Sequence, residues 1–389
     1  MRPRLAVITP LFAPGVRGGG PIRTLTALVQ GAPTWLDLHV FTQSRDHGER
    51  QDMVDITDRP TMWEGTKVTY ARAHTVRGLG ALYAGLVRWR PDVIYLNSYW
   101  SLFFSQGVMA IHRCGLFGRA VVVIAPRGEF APAALNRHST RKALMRWGNQ
   151  LCGSHRSVIW HASSVGEADD IRRYIGPVAP VVIREDDSLL PARAEPVTDS
   201  TPASGRGALR AVFLGRLVEH KGPDLAAEAV AALDGEVTLD IYGPAEDEAF
   251  TASLRCLAES TDGRIRIRGT LSHDDVRATL SGYEVLVLPT RSENFGHVIA
   301  EALSVGVPVV VPDVTPWTSV LETGGAGRVV ERSAAAIRSA LQELADMSEA
   351  EVIGTRRAAA SAYDDWRRAS LATPHLFDLL RGRGLFPDA

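Results

Sequence analysis

Short apolar runs alternate with turn residues and amphipathic stretches along most of the chain. "RLAVITP" at 4–10 enters a glycine-rich loop, "GVRGGGP", and then a helical pattern from Ile22 to Gln30. "DLHVFTQ", "KVTYARA", "DVIYLNS" and "AVVVIAP" follow as strand-like runs with helical patterns between several of them. Strand, turn and helix in repetition predict βαβ units on a parallel sheet. The rhythm stops at 191–206, where "PARAEPVTDSTPASGR" has no apolar period and the composition of a linker. It restarts with "LRAVFLGR" as a strand, "LVEHKGP" as a loop and "DLAAEAVAAL" as a helix. Strands at "VTLDIYG", "RIRIRG", "EVLVLPT" and "VPVVVPD" come after, again with helices between.

The expected fold is therefore α/β, with two Rossmann-like doubly wound domains facing a central cleft. Residues 1–190 form the first domain, 191–206 the linker and 207–364 the second domain. An amphipathic helical tail, about 365–389, packs back on one of the two halves. In such sheets ligands bind outside the carboxyl ends of the strands.

Length and composition agree with this picture. A chain of 389 residues exceeds one ordinary core. Basic and acidic residues nearly cancel, 43 against 44, so no global field draws the protein to nucleic acid. Three scattered cysteines, Cys114, Cys152 and Cys256, fit neither a disulfide framework nor a zinc site and suggest a reducing compartment. The apolar run after "MRPR" stops at Pro10, as a strand does and a signal sequence does not. No stretch has the ~18 apolar residues of a membrane span, and the expected location is the cytoplasm.

Neither glycine-rich loop has the spacing of a dinucleotide site, and no Walker pattern is present. The second half instead places Arg216 and Lys221 on one loop after a strand, where two cations suit a diphosphate. Solvated surface residues are the competing explanation for that loop alone. The stretch "TRSENFGHVIAEALSVGVPVVV" adds a turn and an apolar helix behind "EVLVLPT". The amides of Phe295, Gly296, His297 and Val298 would open that helix as an anion site. Glu293 before it suits sugar hydroxyls, and Glu301, more than a turn inside, suits a ribose diol.

"SENFGHVIAEALSVGVPVV", with "GRLVEHKG" upstream, resembles the retaining, nucleotide-sugar-dependent glycosyltransferases of family 4, which have the GT-B fold. The E-x7-E spacing, the Phe-Gly after the first Glu and the closing Gly-x-Pro-Val-Val carry the resemblance, most strongly over 207–330. "ENFG" with "DVTPW" is similar to members that build bacterial surface polysaccharides. The resemblance implies that Arg216 and Lys221 hold the donor diphosphate, Glu293 the donor sugar and Glu301 the ribose. It implies that the backbone from Asn294 to Val298 lines the phosphates and that the loop near Arg268 faces the nucleobase. It also implies that Gly19 and Gly20 let the first-domain loop approach donor and acceptor. Arg216, Lys221 and Glu293 are the expected catalytic set.

The chain departs from the family at "IAPRGEF", where Arg127 stands near the place of a common histidine, and at Asn97. Arg127 would serve the acceptor or the leaving phosphate. His161 in "VIWHASSVGEADDI" either approaches the cleft or is a satisfied, partly buried histidine. The helix "RKALMRWGNQL" either buries its apolar stripe or touches a membrane surface. The implied activity is transfer of a sugar from a UDP- or GDP-linked donor to a glycan, lipid-linked or small-molecule acceptor. It would proceed by front-face substitution with neither metal nor other cofactor, in bacterial polysaccharide or glycolipid synthesis. A sugar-nucleotide epimerase and a glycosyltransferase tailoring a small-molecule natural product are the alternatives.

Overall fold

The computed structural model describes residues 2–55, 60–135, 145, 158–198 and 204–387. The helix expected at 141–151 lies outside the described residues, apart from position 145. The chain forms two compact units, Met1–Leu189 with Pro374–Ala389, and Leu190–Thr373.

The first unit is built on strands β1 (Arg4–Ile8), β2 (Asp37–Gln43), β3 (Thr61–Trp63), β4 (Thr66–Ala71), β5 (Val93–Asn97), β6 (Val121–Ala125), β7 (Val158–Ala162) and β8 (Val181–Ile183). Their order is β3-β4-β2-β1-β5-β6-β7-β8. All neighbours are parallel except β3, which turns back from β4 at Glu64 and Gly65. Both turn residues have positive φ, 44° and 81°, as a two-residue hairpin with the twist of its strands requires. The central strands are buried on both faces, and Leu5 to Ile8 have no exposure, which is why they read as continuous apolar runs.

The second unit repeats the plan with β9 (Ala208–Leu214), β10 (Glu236–Tyr242), β11 (Ile265–Gly269), β12 (Val285–Val287), β13 (Val309–Pro312) and β14 (Gly327–Val330). This sheet is parallel throughout, in the order β11-β10-β9-β12-β13-β14. Strand order reverses between β9 and β12. Loops leaving their carboxyl ends diverge there and open a crevice.

The tail differs from a single helix over 365–389. A long helix, Glu349–Ala372, starts at a Ser348/Glu351 capping box and belongs to the second unit. It ends before Pro374, whose ring disfavours helical geometry in the preceding residue. A second helix, Leu376–Gly382, then packs Leu376, Phe377 and Leu380 into the first unit's core with Leu5, Val7, Leu25 and Leu28.

The described parts of the expected linker are also fastened. Tyr363 Oη donates to Pro191 O at 2.6 Å and Arg367 Nη2 to Leu190 O at 2.7 Å. Ala194 N donates to Asp364, and Glu195 N to Ser304 O. With no period to form a helix or strand, the segment satisfies its backbone on neighbouring elements instead. Residues 199–203 lie outside the described ones.

Candidate functional site

Two loops flank the reversal point of the second sheet. The loop after β9 carries Arg216, which is exposed and paired with Glu246 at 3.0 Å. Leu217 anchors it, with 1% exposure and a bridge to Ala245. The loop ends at Gly222, which has φ 75° and precedes the helix Pro223–Ala231. A Cβ there would lie 2.4 Å from Pro289 O, so both the backbone angle and the close approach of the second loop demand glycine.

The loop after β12 is tied to the first by its backbone. Arg291 N donates to His220 O at 2.9 Å, and the Arg291 side chain pairs with Glu219. Arg332, arriving from beyond β14, donates from Nε to Pro289 O at 2.8 Å and from Nη2 to Glu219 O at 3.0 Å. One guanidinium thus bridges both loops. Between them, Lys221 Nζ meets Glu293 Oε1 at 2.5 Å, with side chains 16% and 11% exposed. The sequence placed Lys221 on phosphate and Glu293 on sugar; the structure adds that they hold each other. Burial, followed by the Lys221 charge, pushes the His220 pKa below its usual value.

Gly296 caps the helix His297–Ser304 with φ 82° and, among the described residues, no side-chain cap hydrogen bond, the kind of helix start at which an anion can bind. Phe295, buried at 4%, packs edge-on against Trp317, whose Nε1 donates to Phe295 O at 2.5 Å. Its ring is an anchor, and only its backbone is left to line a ligand. Trp317 also closes over Gly296, where a Cβ would come within 3.3 Å of the indole. Asn294, His297 and Val298 are half-buried around this turn. Glu301 is 1% exposed, and His273 Nδ1 approaches its Oε1 to 3.8 Å.

Arg268 leaves the end of β11 and pairs with Asp240 at 3.2 Å, beside Arg266 at 2.7 Å. Tyr283 Oη donates to the same carboxylate at 2.6 Å and meets Tyr242 Oη at 3.0 Å. Burial alone would raise the Asp240 pKa; hydrogen bonds from Tyr283, Arg268 and Arg266 outweigh it and lower the pKa. The Arg268 side chain is therefore held along the sheet, with about 42% exposure.

In the first unit the two residues expected near an acceptor or phosphate turn out to be internal. Arg127, with φ 57°, gives Nε to Asn97, Nη2 to Tyr95 Oη and Nη1 to Asp186, and its side chain is 6% exposed. Its charge is spent on a buried carboxylate. Burial pushes Asp186 up to about 6 against the pull of Arg127. His161 lies on β7 itself, 2% exposed, with Nδ1 on Tyr95 Oη at 2.8 Å and Nε2 on Arg184 O at 2.9 Å. Of its two readings, the satisfied buried histidine is the one realised. Gly19 has φ 60° at the start of the helix Gly20–Gln30, and among the described residues a Cβ on it would meet nothing within 4 Å. Asp46 orders this glycine loop by accepting from Val16 N at 2.8 Å and Arg17 N at 3.0 Å. Neither Asp46 nor Arg332 stands out by motif or spacing. Each acts on backbone far away in sequence, a relation with no local period.

Residues 203–359 match the family model for glycosyl transferases group 1. An alpha-D-kanosaminyltransferase of Streptomyces kanamyceticus is 32% identical over 125 residues, covering 31% of each chain. The chain spans from 31% to 55% of the length of the first curated relatives it matches. By structure, sucrose-phosphate synthase from Thermosynechococcus elongatus superposes with TM-score 0.70 at 17% identity, covering 98% of this chain and 100% of that one. HepE of Anabaena, in complex with UDP and glucose, gives 0.65 at 15% identity and 98% of both chains. The chain has the GT-B fold, and its residues 203–359 match the family model for glycosyl transferases group 1.

Proposed function

We propose that the protein is a retaining glycosyltransferase that moves a sugar from a nucleotide-sugar donor to a hydroxyl acceptor, in bacterial polysaccharide or glycolipid synthesis. The observation that carries this reading is the pair of loops at the β9/β12 reversal. They bring Lys221 and Glu293 into contact and, with the helix start at Gly296, belong to the segment matching the glycosyl transferases group 1 family. The HepE complex with UDP and glucose, on the same fold, supports a nucleotide-linked donor.

In this reading Lys221, Arg216 and the amides from Asn294 to Val298 carry the leaving diphosphate. Glu293 accepts from hydroxyls of the transferred sugar, Glu301 from the ribose, and the base lies toward Arg268. The anomeric C–O bond to the diphosphate breaks as the acceptor oxygen forms its bond on the same face. The departing phosphate oxygen takes the acceptor's proton. The protein supplies fixed charge and position. Because lysine, arginine and helix amides neutralise the diphosphate here, turnover needs no divalent metal. The free thiols of Cys114 and Cys256 are exposed, which fits work in the reducing cytoplasm.

The test is a screen of UDP- and GDP-sugars with sugar and lipid acceptors, run in excess EDTA, with the product's anomeric configuration read by NMR. An α-linked donor giving an α-linked product is expected. A β-linked product removes retention, and activity restored only by magnesium or manganese removes metal independence. Isomerised donor without transfer points to the epimerase.

A further inference from the structure

We infer that Glu293 is a built-in competitor of the donor diphosphate, and that exchange of its partner lets the site tell an intact donor from a spent nucleotide. This rests on the function proposed above. Each cation of the two loops is already engaged: Arg216 by Glu246, Arg291 by Glu219, Arg332 by two carbonyls and Lys221 by Glu293. Arg216 and Arg291 are about half exposed, so water screens their pairs and an anion displaces those partners at little cost. The Lys221–Glu293 pair is different, because both side chains are mostly buried at 2.5 Å.

A diphosphate arriving at Lys221 meets that carboxylate as a like charge at close range. Either Glu293 stays and repels it, or Glu293 leaves and must find new donors in a largely desolvated place. An intact donor brings them, since the sugar beyond the diphosphate carries hydroxyl groups. A bare nucleoside diphosphate or pyrophosphate brings none. It therefore binds against an unpartnered buried carboxylate, and Glu293 penalises the spent nucleotide more than the substrate. Specificity of this kind comes from a repulsive element aimed at the wrong ligand. After transfer the same element speeds the nucleotide's departure, as Glu293 returns to Lys221.

The experiment is calorimetric titration of the full chain with uridine, adenosine and guanosine diphosphates and with inorganic pyrophosphate. Wild type, Glu293→Gln and Glu293→Asp are compared. Glu293→Gln keeps the shape and removes the charge; Glu293→Asp keeps the charge one methylene further back. Whichever diphosphate binds wild type should bind Glu293→Gln about tenfold tighter, with Glu293→Asp between them, while transfer by Glu293→Gln falls. Equal or weaker diphosphate binding in both variants overturns the competitor role and leaves the proposed function standing. No binding of any of the four probes to either wild type or Glu293→Gln overturns the function, and this inference with it.

Discussion

His39 lies on β2 beneath Phe41 at 4.2 Å between ring centroids, with Nε2 on Thr69 Oγ1 at 2.9 Å. Burial first, then the Lys67 charge, lowers its pKa from 6.5 to about 4. In the same unit burial, with Arg127 behind it, lowers His161 to about 3. A folded-state pKa below the unfolded value stabilises the fold above pH 6.5, and that stability drains away as pH falls. Between pH 7 and pH 5 each histidine should lose about 2 kcal/mol of its contribution by this linkage. Asp186 works the other way. Its raised pKa, about 6, is a cost at neutral pH that is relieved on acidification, returning about 1 kcal/mol. The net loss of about 2 to 3 kcal/mol should lower the first unit's melting temperature by roughly 5 °C or more. Near-ultraviolet circular dichroism melts at the two pH values check this, and an unchanged or rising temperature contradicts it. At this scale the sequence was partly legible: His161 and Arg127 stood out as polar residues at strand ends. The buried partner of Arg127, Asp186, 59 positions away, could not be seen without the sheet.

Among elements, the two loops at the β9/β12 reversal were foreseen, because each follows an apolar strand and precedes a helix with glycine at the junction. What joins them was not. The Gly222–Pro289 contact and the Arg332 bridge link segments far apart in sequence; Arg332 lies 113 positions from Glu219. Removing the guanidinium leaves two carbonyls without their donor, which costs about 1–3 kcal/mol if they stay shielded from water. Under the proposed function, Arg332→Ala should raise donor KM and lower kcat together, because Lys221 and Glu293 lose their common frame. Added guanidinium should restore part of the activity. Arg332→Lys should recover less than wild type, since an ammonium lacks the planar fork that spans two acceptors. Unchanged KM and kcat in Arg332→Ala would show that the bridge plays no part in positioning. The β3–β4 hairpin was likewise missed, although its Glu64-Gly65 turn is a local signal of the kind that marks hairpins.

For the whole molecule, two βαβ series separated near residue 190 were readable from hydrophobic rhythm, because parallel strands buried on both faces leave continuous apolar runs. The division of the tail was not, since the amphipathic pattern runs on through the point where Pro374 stops one helix and another begins. That division means that the second unit, Leu190–Thr373, is one continuous stretch, whereas the first is assembled from two pieces of chain. During synthesis from the amino terminus, the second unit has all its residues before the first has its last core helix. Until then Leu5, Val7, Leu25 and Leu28 face a gap that Leu376, Phe377 and Leu380 have yet to fill. Truncation after Thr373 should therefore leave the distal, second unit resistant to limited proteolysis and the first one open to it. Equal protection of both units in the truncated chain would refute this. The protein is translated in one order and completed in the other, the second half having all its residues while the first still lacks a piece of its core.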